Sequence, residues 1–254
     1  MTQLIYDGTM AGLLTAVFEV YERRLDTVHI LTEKHWQQDA FAPRQDITTD
    51  ALKARRVWKG LTGKLGKEAL DQLYYCFLSE LPGIEDTILA YTRYVFSSGK
   101  NIAADFGNDA VLTIAQTARK VGREKHRMEA FVRFSLLKDQ LYYASISPDY
   151  NVLPLIAPHF RSRYADQSWL ICDLKRKYGI SYDKETEQVS EVRISWDERT
   201  MPDNAVVYDP AEPLYQQLWK DYFKSTGIVA RNNRKLHLQH VPLRYWKYLT
   251  EKQL

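Results

Sequence analysis

The sequence has little cysteine and no long apolar run. Its two cysteines, Cys76 and Cys172, are too few for a disulfide framework, and their apolar surroundings indicate buried, reduced thiols. Two thiols also exclude an iron–sulfur cluster held by this chain's cysteines alone. No stretch approaches the roughly 18 apolar residues that span a bilayer, and the first residues lack the pattern of a secretory signal. We therefore expect a cytoplasmic protein without a membrane span.

Several motifs of catalysis and phosphate binding are absent as well. The patterns GxGxxG, GxxxxGK[ST], HExxH and GxSxG do not occur. The Gly- and Lys-rich stretch at 60–67 has the wrong spacing for a phosphate loop, so we expect it to connect two helices. His237 and His240 come without a third ligand fixed by spacing, so we expect no metal site. Nothing in the sequence indicates a cofactor.

What the sequence does have is charge separated into blocks. Residues 1–114 carry a net charge of −3, residues 115–178 carry +6, residues 179–218 carry −6, and residues 219–254 carry +6. Two basic blocks around an acidic connector are typical of an anion-binding surface beside a solvated spacer. The alternative is that these blocks are only solvent-exposed faces.

The hydrophobic pattern of the first half predicts the start of an α+β fold. Residues 4–7 and 28–31 have the character of short strands, and Thr9 is placed to cap the helix between them. Residues 51–96 are helical in character. A long helix then begins at Asp109. The chain therefore opens as strand–helix–strand followed by helices.

The second half predicts a mostly antiparallel sheet with short helices. Segments 131–137 and 141–147 alternate apolar and polar residues and form a predicted hairpin. A short helix is predicted to begin at Pro158. Three more strands are predicted, at 169–174, 179–183 and 188–196.

The composition and the predicted elements divide the chain into three parts. Residues 1–196 form the predicted main α+β domain. Residues 197–213 are acidic, contain proline and form the predicted linker. Residues 214–254 hold a helix and a basic tail that we expect to pack back on the main domain.

The stretch VGREKHRMEAFVRF, residues 121–134, could form an acid/base site or a basic surface. At about 100° per residue, the helix points Glu124 away from its basic side chains. Those basic side chains lie nearly opposite the apolar stripe and are Arg119, Arg123, His126 and Arg127. This arrangement favours a basic surface that holds an anionic polymer.

Phosphate oxygens need guanidinium and amide donors, and unstacked bases need flat aromatic faces. Both residue types recur in the two basic blocks. The residues that we nominate for contact with nucleic acid are Arg119, Arg123, His126, Arg127, Arg133, His159, Arg161, Arg163, Arg231, Asn233, Arg234, Arg244 and Trp246.

Two other classes of function remain open at this point. One is an enzyme, a nuclease or a nucleobase-processing hydrolase, with a site made of histidine and carboxylate groups. Its candidate catalytic residues are His126, His159, Glu124, Asp149 and Asp173. The other is a protein-interaction scaffold that makes no contact with DNA.

Five stretches carry a resemblance to a known family, and they span nearly the whole chain. They are YDGTMAGLLTAVFEVYE (6–22), REKHRMEAFVRF (123–134), PDYNVLPLIAPHFRSRY (148–164), WLICDLKRKYGISYD (169–183) and IVARNNRKLHLQHVPLRYWKYL (228–249). In these blocks the chain resembles a bacterial family of DNA-metabolism proteins of unknown activity. Its members are typically encoded beside a radical-SAM protein of DNA repair or modification, and some are fused to a uracil-DNA glycosylase-like domain.

The resemblance implies DNA and a radical-SAM protein as partners, with a uracil-DNA glycosylase-like protein as a further one. This chain lacks the three-cysteine motif of a radical-SAM enzyme and the GExPG loop of a glycosylase. Activities of those kinds would therefore belong to a partner. The leading hypothesis is a DNA-binding accessory protein in DNA repair or base modification.

Overall fold

The chain combines runs of helices with two sheets in an α+β fold, as the sequence predicts. The computed structural model describes residues 2–39, 42–98, 101–193, 208–226 and 234–253. The chain forms two compact units, Met1–Gly122 and Arg123–Leu254. Their boundary falls inside one continuous helix, a division that the sequence analysis did not anticipate. Most of the acidic segment predicted as a linker lies outside the described residues.

The first unit contains a three-stranded parallel sheet within its described residues, in the order β2–β1–β3. It is formed by β1 (Thr2–Tyr6), β2 (Val28–Thr32) and β3 (Arg44–Asp46), with helix α1 (Met10–Glu22) between the first two. The predicted strand–helix–strand start is confirmed. Strand β3 was missed, because three polar residues carry no apolar alternation.

The loop from β1 to α1 is fixed by local hydrogen bonds. Thr9 caps α1 as predicted, since its Oγ1 accepts a hydrogen bond from the Gly12 amide at 2.9 Å. Asp7 in turn accepts from the amide and the hydroxyl of Thr9, and from the hydroxyl of Thr49. A Cβ on Gly12 would lie 2.2 Å from Asp7 Oδ1, so this turn requires glycine.

Three helices complete the core of the first unit. They are α2 (Ala51–Thr62), α3 (Lys67–Phe77) and α4 (Ile84–Ser97). The stretch at 60–67 joins α2 to α3, as the sequence predicts. Their apolar faces close over the sheet around fully buried side chains from several elements, including Leu4, Leu13, Ile30, Leu61, Leu73 and Ile88.

The long helix α5 (Asp109–Phe131) begins where the sequence predicts and leads into the second unit. There a five-stranded sheet has the order β4–β5–β6–β7–β8. The predicted hairpin and the mostly antiparallel sheet are confirmed, with β5 and β6 as the one parallel pair described. The strands are β4 (Ser135–Leu136), β5 (Tyr142–Ile146), β6 (Trp169–Asp173), β7 (Tyr178–Asp183) and β8 (Gln188–Arg193).

The crossover between β5 and β6 is helix α6 (Leu153–Arg163). The predicted start at Pro158 was wrong, because that proline lies inside the helix. Leu153, Ile156 and Phe160 are buried at helical spacing, whereas Pro158 is exposed, so its missing backbone donor affects only the solvent side. Burial of the apolar face therefore outweighs the helix-breaking tendency of the proline.

The chain continues with α7 (Glu212–Thr226), which matches the helix predicted at 214–227, and with α8 (Arg234–His240), which falls in the predicted basic tail and was missed. Two 3₁₀ helices, Leu243–Tyr248 and Thr250–Lys252, follow. Large apolar side chains of α7 are exposed, among them Leu214, Tyr215, Leu218, Trp219 and Tyr222.

Both cysteines are buried free thiols, as predicted. Burial raises the pKa of Cys76 to about 12 and that of Cys172 to about 11, so neither is a ready nucleophile at neutral pH. Among the described residues, no helix combines the length and apolar composition needed to cross a bilayer.

Candidate nucleic-acid interface

The second half of α5 separates buried from exposed side chains. Glu124 and Met128 point inward and are almost completely buried. On the other side, Arg123 and His126 face solvent, and the His126 side chain is 87% exposed. With the half-buried Arg127 they form what we call the α5 basic face (Arg123, His126 and Arg127).

The α5 basic face is largely without carboxylate partners. Arg123 makes no hydrogen bond or ion pair with any described residue. Arg127 donates to the carbonyl oxygen of Gln239 at 3.3 Å, which leaves its charge uncompensated. His126 Nδ1 lies 3.9 Å from a Glu129 oxygen, beyond hydrogen-bonding distance. Two guanidinium groups and an exposed imidazole are therefore presented on one turn of the helix.

Glu124 lies on the same turn of α5 and holds the loop at 148–151 in place. Its two oxygens accept from the backbone amides of Asp149 at 2.9 Å and Tyr150 at 2.7 Å. The Tyr245 hydroxyl donates to it at 2.5 Å, and Arg244 lies 3.4 Å away. With both oxygens occupied, Glu124 orders the surrounding chain rather than facing a ligand.

The other side of the same loop is held by the turn after β6. Lys175 Nζ and Arg176 donate to the carbonyl oxygen of Asp149 at 3.0 and 2.9 Å. Asp173, which is fully buried, accepts from Arg176 at 2.8 Å. Burial raises the pKa of Asp173, and the guanidinium of Arg176 opposes that rise.

These contacts show where the structure places the candidate catalytic residues. Glu124, Asp149 and Asp173 converge on one loop, each engaged by backbone or arginine donors. His126 stands apart on the exposed side of α5. His159 packs its ring edge-on against Phe160 at 5.1 Å and makes no hydrogen bond with any described residue. The described residues contain no group of three or more side chains suited to a metal ion.

Several nominated residues already have partners within the second unit. Arg133 donates to both carboxylate oxygens of the buried Glu251, at 2.8 and 3.3 Å. Arg244 pairs with Asp149 at 2.9 Å and stacks on the Tyr245 ring. The indole of Trp246 donates to a backbone carbonyl at 3.0 Å. These side chains stabilise the unit, so they are less available to phosphate.

Other nominated residues are exposed. Arg161 and Arg163, at the C-terminal end of α6, make no ion pair with a described residue. Arg163 lies over the ring of Tyr164. Arg119 is exposed on the part of α5 that belongs to the first unit. Three predictions fall outside the described structure, namely Arg231, Asn233 and the side chain of Arg234.

The second unit also has a surface cleft that the sequence analysis missed. Its volume is about 560 Å³, within the usual range of ligand sites. Aromatic rings line it, with two glutamine amides between them, on segments up to 85 positions apart in the chain. The aromatic cleft is defined by Phe134, Tyr142, Tyr164, Gln167, Tyr215, Gln216 and Trp219.

The one signal in the sequence for this cleft was the spacing of aromatic residues in α7. Tyr215, Trp219, Tyr222 and Phe223 recur at helical intervals, yet the structure leaves them exposed. An exposed aromatic stripe is typical of a binding surface. The opposite wall of the cleft carries no comparable pattern.

Comparisons with known proteins identify a family and a distantly similar structure. The family described as a domain of unknown function, DUF4130, matches residues 82–251. No curated protein matches the sequence. A pGpG-specific phosphodiesterase, PggH from Vibrio cholerae, is 12% identical with a TM-score of 0.35, over 78% of this chain and 83% of that one. A likeness at that level carries no inference about activity.

Proposed function

The chain belongs to the family of the domain of unknown function DUF4130, and we propose that it is a cytoplasmic DNA-binding accessory protein in DNA repair or base modification. The observation that carries this proposal is the α5 basic face. Its guanidinium groups are offered to solvent, whereas Arg133, Arg176 and Arg244 in the same unit are paired with carboxylates.

The placement of Glu124 supports the same interpretation. A carboxylate next to Arg123 in sequence could have cancelled its charge, but the helix turns Glu124 into the core, where other donors hold it. The exposed surface of this turn therefore keeps its positive charge. A rigid helix that displays arginines without competing carboxylates suits phosphate oxygens.

The first test is charge reversal with the double variant Arg123→Glu and Arg127→Glu. We expect the affinity for single- or double-stranded DNA at low salt to fall roughly 10-fold or more. Binding would be followed by fluorescence anisotropy over a salt series. The plot of log affinity against log salt should become shallower by about 1 to 2, the value for two lost phosphate contacts.

The chain offers a matched control in Arg55→Glu with Lys59→Glu. These two exposed residues are also four apart on a helix, α2, and neither makes an ion pair with a described residue. The control introduces the same change in net charge, so it measures the general electrostatic effect. Equal losses of affinity in the two double variants would refute the α5 basic face as the interface.

We also propose that the protein acts with a radical-SAM protein, and with a uracil-DNA glycosylase-like protein. The family resemblance supports this, as does the exposure of large apolar side chains on α7. Co-purification of the tagged chain with each candidate partner tests it. A complex lost in Leu218→Asp and retained in Arg123→Glu would support α7 as the contact. Failure of both candidates to co-purify would reject the partnership.

A further inference from the structure

The walls of the aromatic cleft are held rigid from behind. On one side, Phe134 contacts Tyr164 edge-on with ring centroids 5.5 Å apart, and both pack on Phe160. Phe160 packs on the buried Trp169. This cluster fixes the two lining rings before any ligand arrives, which reduces the entropy that binding would cost.

The facing wall, on α7, is fixed by polar contacts. The Trp219 indole donates to Glu251 at 2.9 Å, and the guanidinium of Arg133 lies 5.4 Å from the centre of its ring. Tyr215 stands one turn earlier and is 57% exposed. Flat rings therefore line both sides of a space open to solvent.

The charged side chains of the cleft already have hydrogen-bond partners. Arg133 is bound by Glu251, and Glu212 accepts from the Leu136 amide and from the Gln216 side chain. The polar groups left for a ligand include the carbonyl oxygen of Gln216 and the amide of Gln167, whose side chain bonds to no described residue. Rings with neutral amide donors and acceptors suit a flat, uncharged, polar molecule.

A guanidinium group lies beside one of the rings that line this space. The guanidinium of Arg163 is 5.9 Å from the centre of the Tyr164 ring, which lines the cleft. Arg163 is exposed and makes no ion pair with a described residue. A ligand with a flat base and an adjoining phosphate would engage both features.

We infer that the aromatic cleft binds an unstacked nucleobase of single-stranded DNA, with Arg163 on a flanking phosphate. This inference rests on the proposed function and deepens it, since it assigns the strand form that is recognised. A base inside a duplex is stacked on both faces and cannot enter. The α5 basic face contacts only phosphates, so its contribution to affinity should not change when the bases are removed. The contribution of the aromatic cleft should be lost.

The test compares two ligands of equal length and charge, an oligothymidine strand and an abasic strand with the same phosphates. We expect the wild type to bind oligothymidine roughly 5-fold or more tightly, the effect of stacking one base on aromatic rings. Tyr215→Ala should abolish that preference and leave the affinity for the abasic strand unchanged. Because Tyr215 is mostly exposed, its removal should not unfold the protein.

Leu218→Ala is the matched control. Leu218 is 55% exposed on the same helix but does not line the cleft, so the preference should persist in this variant. As a second readout, a strand containing iodouracil should crosslink under ultraviolet light to Tyr215, Trp219 or Tyr164.

The outcomes separate this inference from the proposed function. If the wild type binds the two strands equally, the cleft is not a nucleobase site, and the proposed DNA-binding role is unaffected. A preference that survives in Tyr215→Ala, with crosslinks elsewhere, would place the base at another site and also overturn this inference. No binding of either strand, with binding of a duplex of the same length, would overturn this inference alone. No binding of the strands or of the duplex would reject the proposed function as well.

Discussion

Glu85 in the first unit and Glu124 in the second are both almost inaccessible to solvent, at 4% and 2% exposure, but their surroundings differ. Glu124 accepts from two backbone amides and a tyrosine hydroxyl. Glu85 accepts from the Tyr6 hydroxyl at 3.1 Å, and its other oxygen has no hydrogen-bond partner among the described residues. Equal burial therefore accompanies different degrees of hydrogen bonding, and we expect Glu85 to stabilise the protein less than Glu124 does.

The two units also fix their loops over different ranges of sequence. In the second unit the loop at 148–151 is held by groups more than 20 residues away, on α5, after β6 and near Tyr245. In the first unit the turn at 7–12 is held mainly by its own residues. The first unit should thus respond to changes within the turn, and the second to the loss of distant partners.

The largest effect should come from Glu124→Ala. Removing the carboxylate leaves the amides of Asp149 and Tyr150 and the Tyr245 hydroxyl without their acceptor inside the protein. We expect the free energy of unfolding, measured in urea, to fall by about 3 kcal/mol or more. Glu129→Ala is the control, since it breaks a half-buried pair with Lys125 and the longer contact with His126 but removes no backbone acceptor, and it should cost about 1 kcal/mol or less. Similar losses in the two variants would contradict the expectation that the second unit depends on distant partners such as Glu124.

The next effect should be that of Gly12→Ala in the first unit. The new methyl group would meet Asp7 Oδ1 at 2.2 Å and Thr49 Oγ1 at 2.9 Å, so hydrogen bonds of the turn must break. We expect a loss of about 2 kcal/mol. The same change at Gly122 brings its methyl group only to 3.7 Å from Tyr75 in a helix, so it should be neutral or stabilising. Thermal denaturation of both variants shows whether position, rather than glycine itself, decides the sign.

A smaller effect is expected from Thr9→Ala. It removes one capping hydrogen bond to the Gly12 amide and one donor to Asp7, and should cost about 1 kcal/mol. Thr9→Ser keeps the hydroxyl and should retain most of the stability. If serine and alanine destabilise α1 equally, the cap is not what fixes this turn.

The smallest effect, from Glu85→Gln, depends on pH. Burial raises the pKa of Glu85, while the hydrogen bond from Tyr6 opposes that rise. Folding raises the pKa of this carboxyl above its value in the unfolded chain. The protein therefore loses stability as the pH rises from the pKa of the unfolded state through the pKa of the folded state. Glutamine resembles the neutral form, so the variant should match the wild type near pH 4. At about pH 8 it should gain on the order of 1 kcal/mol. A difference in melting temperature that does not change with pH would contradict this explanation.

Local patterns in the sequence were enough to predict much of the fold. The Thr9 cap, the start of α5 at Asp109 and the hairpin after Phe131 each depend on residues close in sequence, and each is confirmed. The predicted start of α6 was wrong because it considered only the tendency of Pro158 to break a helix. The buried face formed by Leu153, Ile156 and Phe160 decides that helix.

The site was harder to predict, because pairing is a tertiary property. Arg123 and Arg133 look equivalent in sequence, yet only Arg133 meets a buried carboxylate, from Glu251, 118 positions later. The aromatic cleft was missed for the same reason. Its rings come from β-strand, loop and α7 residues whose proximity no short pattern encodes.

The contacts of Tyr245 and Glu251 have a consequence for biosynthesis. Both side chains are buried, and they supply partners to Glu124 and Arg133, residues translated more than a hundred codons earlier. A nascent chain emerges from the ribosome in order, so α5 and the loop at 148–151 must wait for these late residues. The incompletely synthesised second unit would therefore be a substrate for chaperones. The first unit ends at Gly122, so all of its core residues have been synthesised long before those of the second unit.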